Sequence, residues 1–176
     1  PLYAAHQKLG GKLIEFGGWE MPVQYTSITD EHLAVRKEAG LFDISHMGEV
    51  LISGPGAESF INGTLTNDVR RLAAGQGQYT LMCNERGGVI DDLYVYRLAV
   101  QEYLLIVNAS RIEADVAWLG KQLAAFPRRS EVRLENASDA LGAVAVQGPR
   151  VVEFIDGCFP GPSTGGTSVV RVTDLK

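Results

Sequence analysis

Apolar positions recur at two periods along this chain, and the changes between them mark its elements. Residues 27–39 are predicted as a first helix. Ser27 or Thr29 can cap it, Asp30 and Glu31 suit its positive end, Arg36 and Lys37 suit the other, and Gly40 is a natural stop. Gly48 to Ser53 reads as a strand. Pro55 opens a small helix through Phe60, which Asn62-Gly63 should close. Tyr79–Cys83, Val89–Leu98 and Tyr103–Val107 are extended runs with short links, the first of them the turn Asn84-Glu85-Arg86-Gly87-Gly88. Together they predict an antiparallel meander. Ser110-x-x-Glu113 has the form of a capping box before a helix. In that helix Ile112, Val116, Leu119 and Leu123 keep helical spacing, and Pro127 ends it. Val132–Asn136 and Ala143–Gln147 are expected strands, and Pro149 is expected to start another short helix. Residues 156–168 read as a loop and Val169–Val172 as the start of a strand. No further segment follows to pair with that strand, so the expectation is a chain that breaks off mid-domain.

Period two along the longest strand separates two faces. Val89, Asp91, Leu93 and Val95 form a mostly apolar face expected to look into the core, with Asp91 near the turn. Ile90, Asp92, Tyr94 and Tyr96 form the other, where one carboxylate stands beside two phenols. That combination suits a pocket that orients a flat heterocycle against aromatic walls with one fixed acceptor. It equally suits a solvated polar face with half-exposed tyrosines. A β-bulge at Asp91-Asp92 would upset the assignment. Asn108, at the end of the third strand, could reach such a pocket or help cap the following helix.

Composition narrows the field. Sixteen Lys and Arg against 21 Asp and Glu give a formal charge of −5, which argues against a nucleic-acid partner, since phosphate neutralisation needs a basic face. The 45% hydrophobic content over 176 residues fits one generous globular domain or two small ones. Two cysteines, Cys83 and Cys158, are too few for a disulfide framework and are expected reduced and packed. The three histidines lack metal-ligand spacing, so no structural metal is expected. No apolar run reaches membrane-span length. Ser45-His46 lacks a partner acid for a nucleophilic triad, and neighbours in sequence point apart. Gly17-Gly18 and Gly87-Gly88 lack dinucleotide and P-loop spacings. Gly10-Gly11 and Gly17-Gly18 read as turns, and Trp19 and Met21 as core or lid residues.

Several of these stretches in order resemble the N-terminal, folate-binding part of the aminomethyltransferase family, the T-proteins of the glycine cleavage system. They are Pro1-Leu2-Tyr3 with His6; the run from Phe16-Gly17-Gly18-Trp19 through Met21-Pro22-Val23-Gln24-Tyr25; His32 with Arg36; and Gly40-Leu41-Phe42-Asp43-Ile44-Ser45-His46-Met47-Gly48. Beyond these come Thr66-Asn67-Asp68, Gly77-Gln78-Tyr79, Asn84-Glu85 with Gly87 to Asp92, Val107-Asn108-Ala109, and Ala145-Val146-Gln147-Gly148-Pro149. The resemblance covers roughly 1–150.

It implies an α+β fold of interleaved antiparallel-sheet domains, with 1–44 and 139–176 in the first folate-binding domain and 45–138 in the second. It also implies transfer of a one-carbon unit from the aminomethyl-dihydrolipoyl arm of an H-protein to tetrahydrofolate, with release of ammonia. The implied catalytic residue is Asp92. Tyr79, Asn108, Met47 and Tyr94 are the implied cofactor-binding residues, and no metal, nucleic acid or membrane takes part. The implied setting is the cytoplasm of a bacterium or the mitochondrial matrix of a eukaryote. The family's Gly-Tyr-Thr-Gly-Glu motif and its C-terminal β-barrel are not found here, so the expectation is a chain truncated before the barrel, with pteridine affinity poor on its own. Rival readings are the folate-linked part of a dimethylglycine or sarcosine oxidising enzyme, a folate-binding iron–sulfur maintenance protein, and a catalytically incomplete fragment.

Overall fold

The computed structural model describes residues 2–158, so the expected strand at 169–172 and most of the expected loop at 156–168 lie outside the described residues. In chain order the elements are α1 (Tyr3–Lys8), β1 (Lys12–Phe16), β2 (Trp19–Gln24), α2 (Ile28–Lys37), β3 (Gly40–Asp43), β4 (Gly48–Ser53), α3 (Ala57–Thr64), β5 (Gly77–Cys83), β6 (Val89–Ala99), β7 (Glu102–Val107), α4 (Ile112–Ala125), β8 (Arg133–Asn136), β9 (Val144–Gln147) and α5 (Ile155–Cys158). Short 3-10 turns fall at Val69–Arg71, Ala109–Arg111, Arg129–Glu131 and Val151–Glu153. Among the described residues no helix is long and apolar enough to cross a membrane. The described chain divides into two units, residues 2–46 with 141–158 and residues 47–140.

The first unit holds two small sheets. β1 and β2 form a hairpin whose two-residue turn, Gly17-Gly18, has φ of 60° and 87°, the left-handed pair that a tight hairpin demands and glycine supplies without strain. Trp19 pairs with Phe16 at the hairpin tip and is 42% exposed, so of the two roles expected for it, core or lid, it does not take the core one. β3 pairs with β9 across about a hundred residues of sequence, Gly40 opposite Gln147. Gly40, expected as the helix stop, instead opens β3, two residues beyond the Glu38 cap of α2. α2 begins as its sequence requires: the Ser27 hydroxyl accepts the Asp30 backbone N–H at 3.1 Å and donates to the Asp30 carboxylate at 2.7 Å.

The second unit is one five-stranded antiparallel sheet in the order β5-β6-β7-β4-β8. α3 and α4 cover one face. The core lies there, with Val50, Ile52, Leu93, Val95, Leu105 and Val107 from the strands and Phe60, Ile61 and Leu119 from the helices all at or below 2% exposure. Ile112, Val116 and Leu123 pack against this cluster, as their spacing predicts. Two expectations fail. α3 runs through Asn62-Gly63 to Thr64, because Phe60 and Ile61 must both reach the core and the helix has to continue to bury them. α4 has no capping box: a 3-10 turn over Ala109–Arg111 precedes it, and no side chain caps its first turn.

Both described cysteines are free. Cys83 is half-buried, while Cys158 is exposed rather than packed.

The Phe60 ring lies edge-on to Phe126 with centroids 5.5 Å apart. Phe60→Ala is expected to lower unfolding free energy by about 3–5 kcal/mol. Leu9→Ala, at a position 70% exposed, is expected to change it by less than about 0.5 kcal/mol. Urea denaturation of the two variants checks both.

Candidate functional site

Two glycine- and bulge-dependent details set which side chains stand on the open face of the five-stranded sheet. Met82 pairs with Asp91 but Cys83 pairs with Val89, so Ile90 is an extra residue in β6. Across this bulge Ile90 and Asp91 both turn inward, Ile90 against the core and Asp91 to 5% exposure. Val89, expected inward, is instead 59% exposed, and Ile90 leaves the face on which period two had placed it. The bulge sits one residue before the position at which it would have exchanged Asp91 and Asp92. From Asp92 onward strict alternation returns, and Asp92, Tyr94 and Tyr96 stand exposed on one face. The Arg111 guanidinium fastens the irregularity by donating to the Ile90 carbonyl at 3.1 Å.

On that face the tyrosines form a short ladder. Tyr79 of β5 is directly opposite Tyr94 of β6, with ring centroids 5.4 Å apart in an edge arrangement. Tyr94 stacks on Tyr96 at 6.1 Å. Gly77 is opposite Tyr96, and any Cβ there would come within 2.4 Å of the Tyr96 ring, so only glycine lets this ring lie across the strand.

Asp92 is held from two sides. The Tyr79 hydroxyl donates to its Oδ2. That bond, with burial and the negative charge of Asp92, raises the Tyr79 phenol above its ordinary value, so Tyr79 remains a donor. The Asn108 side-chain amide donates to the Asp92 backbone carbonyl at 2.9 Å and more distantly, at 3.3 Å, to Asp92 Oδ1. The same amide donates to Asp91 Oδ1 at 2.9 Å, and the Asn108 backbone N–H donates to Asp91 Oδ2 at 3.0 Å. Asn108 therefore does not cap the next helix through its side chain; it ties the end of β7 to the two acids of β6. Three acceptors share the two amide protons, so Asp92 Oδ1 is under-used and keeps lone pairs for an incoming N–H.

The expected site residues thus come together in part. Asp92, Tyr79, Tyr94 and Asn108 are joined by hydrogen bonds and ring contacts. Met47 precedes Gly48, which pairs with Val107, so Met47 lies at the same sheet end as Asn108, with no hydrogen bond to the cluster. The arrangement is an open platform. Three well-defined cavities, of about 610, 250 and 210 Å³, do not include Asp92.

Three buried polar groups escaped the sequence reading. His6, 7% exposed, contacts the Tyr25 hydroxyl at 2.6 Å through Nδ1 and Asp43 at 2.8 Å through Nε2. Burial works to raise the Asp43 pKa, but hydrogen bonds from His6 and Ser45 outweigh it and lower it. Separations of 19 and 37 residues leave no local signal of this clamp. Glu49, 2% exposed, has no donor at either carboxylate oxygen among the described residues, and burial raises its pKa. Asp115 of α4 is fully buried. It did carry a signal: it lies three residues after Ile112 and four before Leu119, on the apolar stripe of its helix.

Residues 2–164 match the model of the GCVT N-terminal domain. The aminomethyltransferase of Lysinibacillus sphaericus is 50% identical over 155 residues, covering 88% of this chain and 41% of its own length. That of Thermus thermophilus is 46% identical over 157 residues, covering 89% and 44%. The crystal structure of glycine cleavage system aminomethyltransferase T from Bartonella henselae superposes with a TM-score of 0.78 at 37% identity, over 93% of this chain and 44% of that one. The chain therefore spans less than half the length of these relatives, and the match to the domain over nearly all its described residues shows that it belongs to the GCVT N-terminal domain family.

Proposed function

We propose that this chain forms the folate-facing part of an aminomethyltransferase of the glycine cleavage system. The protein would move a one-carbon unit from the aminomethyl-dihydrolipoyl arm of an H-protein to tetrahydrofolate, releasing ammonia. The observation that carries the reading is the Asp92 carboxylate, fixed at Oδ2 by Tyr79 and at its backbone by Asn108, with Oδ1 open beside a tyrosine ladder. A flat heterocycle needs an aromatic surface and a directed acceptor, and this face offers both.

Tetrahydrofolate, when bound, supplies the nucleophilic nitrogen that receives the one-carbon unit. In this reading Asp92 Oδ1 accepts the hydrogen bond of that N–H, fixes its direction and holds its proton. General-base help of this kind contributes about 10²–10⁴-fold. Tyr79 limits the rotation of the carboxylate, and Asn108 sets the depth of the strand that carries it. Tyr94 and Tyr96 bear the ring face, and Met47 lies near its edge. The lipoylated H-protein is the proposed partner. The first folate-binding domain is proposed to comprise 1–44 and 139–176, and the second 45–138. If the protein is bacterial, the proposed setting is the cytoplasm.

Asp92→Asn in the whole protein that carries this chain is expected to keep the circular dichroism spectrum and cut aminomethyl transfer by at least about tenfold. Parental activity in that variant would remove Asp92 from the chemistry. Tyr94→Leu is expected to weaken tetrahydrofolate binding up to about tenfold by calorimetry, through the loss of about 0.5–1.5 kcal/mol of ring contact. Gly77→Ala should displace the Tyr96 ring, altering the near-ultraviolet dichroism of the tyrosines and lowering the same affinity.

A further inference from the structure

Beneath the platform lies a second acid with no part in the reading above. Asp115 is fully buried between α4 and β6, and among the described residues no N–H or hydroxyl donor reaches either of its oxygens. The acid that faces it is Asp91, itself only 5% exposed. Two carboxylates cannot share a dry site with both ionised, so one keeps its proton. Which one is decided by the donors. Asp91 already accepts the backbone N–H of Asn108 at 3.0 Å and its side-chain amide at 2.9 Å. Asp115 has none, and can bond to Asp91 only by donating.

We propose that Asp115 is a positioning residue: its neutral carboxyl group donates a hydrogen bond to the Asp91 carboxylate, which grips Asn108, which in turn fixes the strand position of Asp92. The proposal rests on Asp92 being the working acid, but the protonation of Asp115 stands apart from it. Were Asp115 ionised, two adjacent anions would separate and the Asn108 clasp would loosen at its base.

The charged groups that face Asp115 are Asp91 from β6 and Arg111 from the 3-10 turn before α4. Burial, then the bond to Asp91 and its charge, push the Asp115 carboxyl from 3.8 up to about 7, against a smaller opposing pull from Arg111. The Arg111 Nε–H is already committed to the Ile90 carbonyl. A raised carboxyl pKa means that the folded chain binds the proton more tightly than the unfolded one. The stability that this proton provides is full below the unfolded value and is lost as pH climbs to the folded value.

The test uses two variants in the whole protein. Asp115→Asn keeps a donor of the same shape, and Asp115→Leu removes it. Asp115→Asn should hold tetrahydrofolate within about twofold of the parent affinity, whereas Asp115→Leu should weaken it at least about tenfold with unchanged far-ultraviolet dichroism. Equal damage from both variants would overturn the positioning role. The infrared difference spectrum of parent minus Asp115→Asn at about pH 6 should show the C=O stretch of one protonated carboxyl; its absence would overturn the proposal whatever the affinities. The melting temperature of Asp115→Asn relative to the parent should rise between about pH 4 and about pH 7 and then level off. A flat difference across that range would also count against a proton on Asp115. If Asp92→Asn retained full transfer, the functional reading would fall, while the infrared and melting results would still decide the state of Asp115.

Discussion

The Asn108 clasp organises the site. One side chain, at the point where β7 leaves the sheet, donates to the carboxylate of Asp91 and to the backbone carbonyl of Asp92. Its own backbone N–H adds a third bond, to Asp91. Neighbouring acids on a strand ordinarily point to opposite faces, and here both do so while remaining tied to the same residue. Asp91 is spent inside as an anchor, and Asp92 is left outside with an acceptor to spare. Loss of the Asn108 amide would leave a buried carboxylate short of donors, so the cost would fall on the fold as well as on the platform.

The sheet reaches this arrangement through two local irregularities. The extra residue Ile90 turns inward together with Asp91, which keeps the core sealed at the end of β6 where the hairpin turn begins, and Arg111 captures the carbonyl the bulge frees. Gly77 leaves space for a ring to lie over the neighbouring strand, so three tyrosines run in contact along the face rather than standing apart. Neither feature stabilises the sheet in isolation. Each sacrifices regular pairing or side-chain contact for a particular aim of a polar group or a ring.

The unit built from residues 2–46 and 141–158 obeys a different constraint. Among the described residues its sheets have two strands each, and Leu41, Phe42, Phe16 and Trp19 are all more than 40% exposed. Cohesion there leans on polar clamps: His6 between Tyr25 and Asp43, and Ser45, whose hydroxyl accepts the Ala143 backbone N–H. These bonds join segments far apart in sequence.

Sequence alone determined the meander, the helix through Ile112 and Leu119, a capped start for α2 at Ser27 or Thr29, and the placing of one acid beside phenols on β6, because each depends on the period or chemistry of neighbouring residues. It belonged to the tertiary structure to decide the rest. The bulge fell at Ile90 because the register of β5 against β6 is settled by pairing, and a one-residue slip would have exchanged the faces of Asp91 and Asp92. The Gly17-Gly18 turn was legible, but the β1–β2 strands around it were veiled by Pro22 and by mostly exposed side chains that show no clean alternation. The pairing of β3 with β9 spans the whole second unit and has no local sign. Asp115 could be read as a polar residue on an apolar stripe, but only packing of α4 on β6 sets it against Asp91. A buried acid acquires its role from the group it meets, and that meeting is not encoded by nearest neighbours.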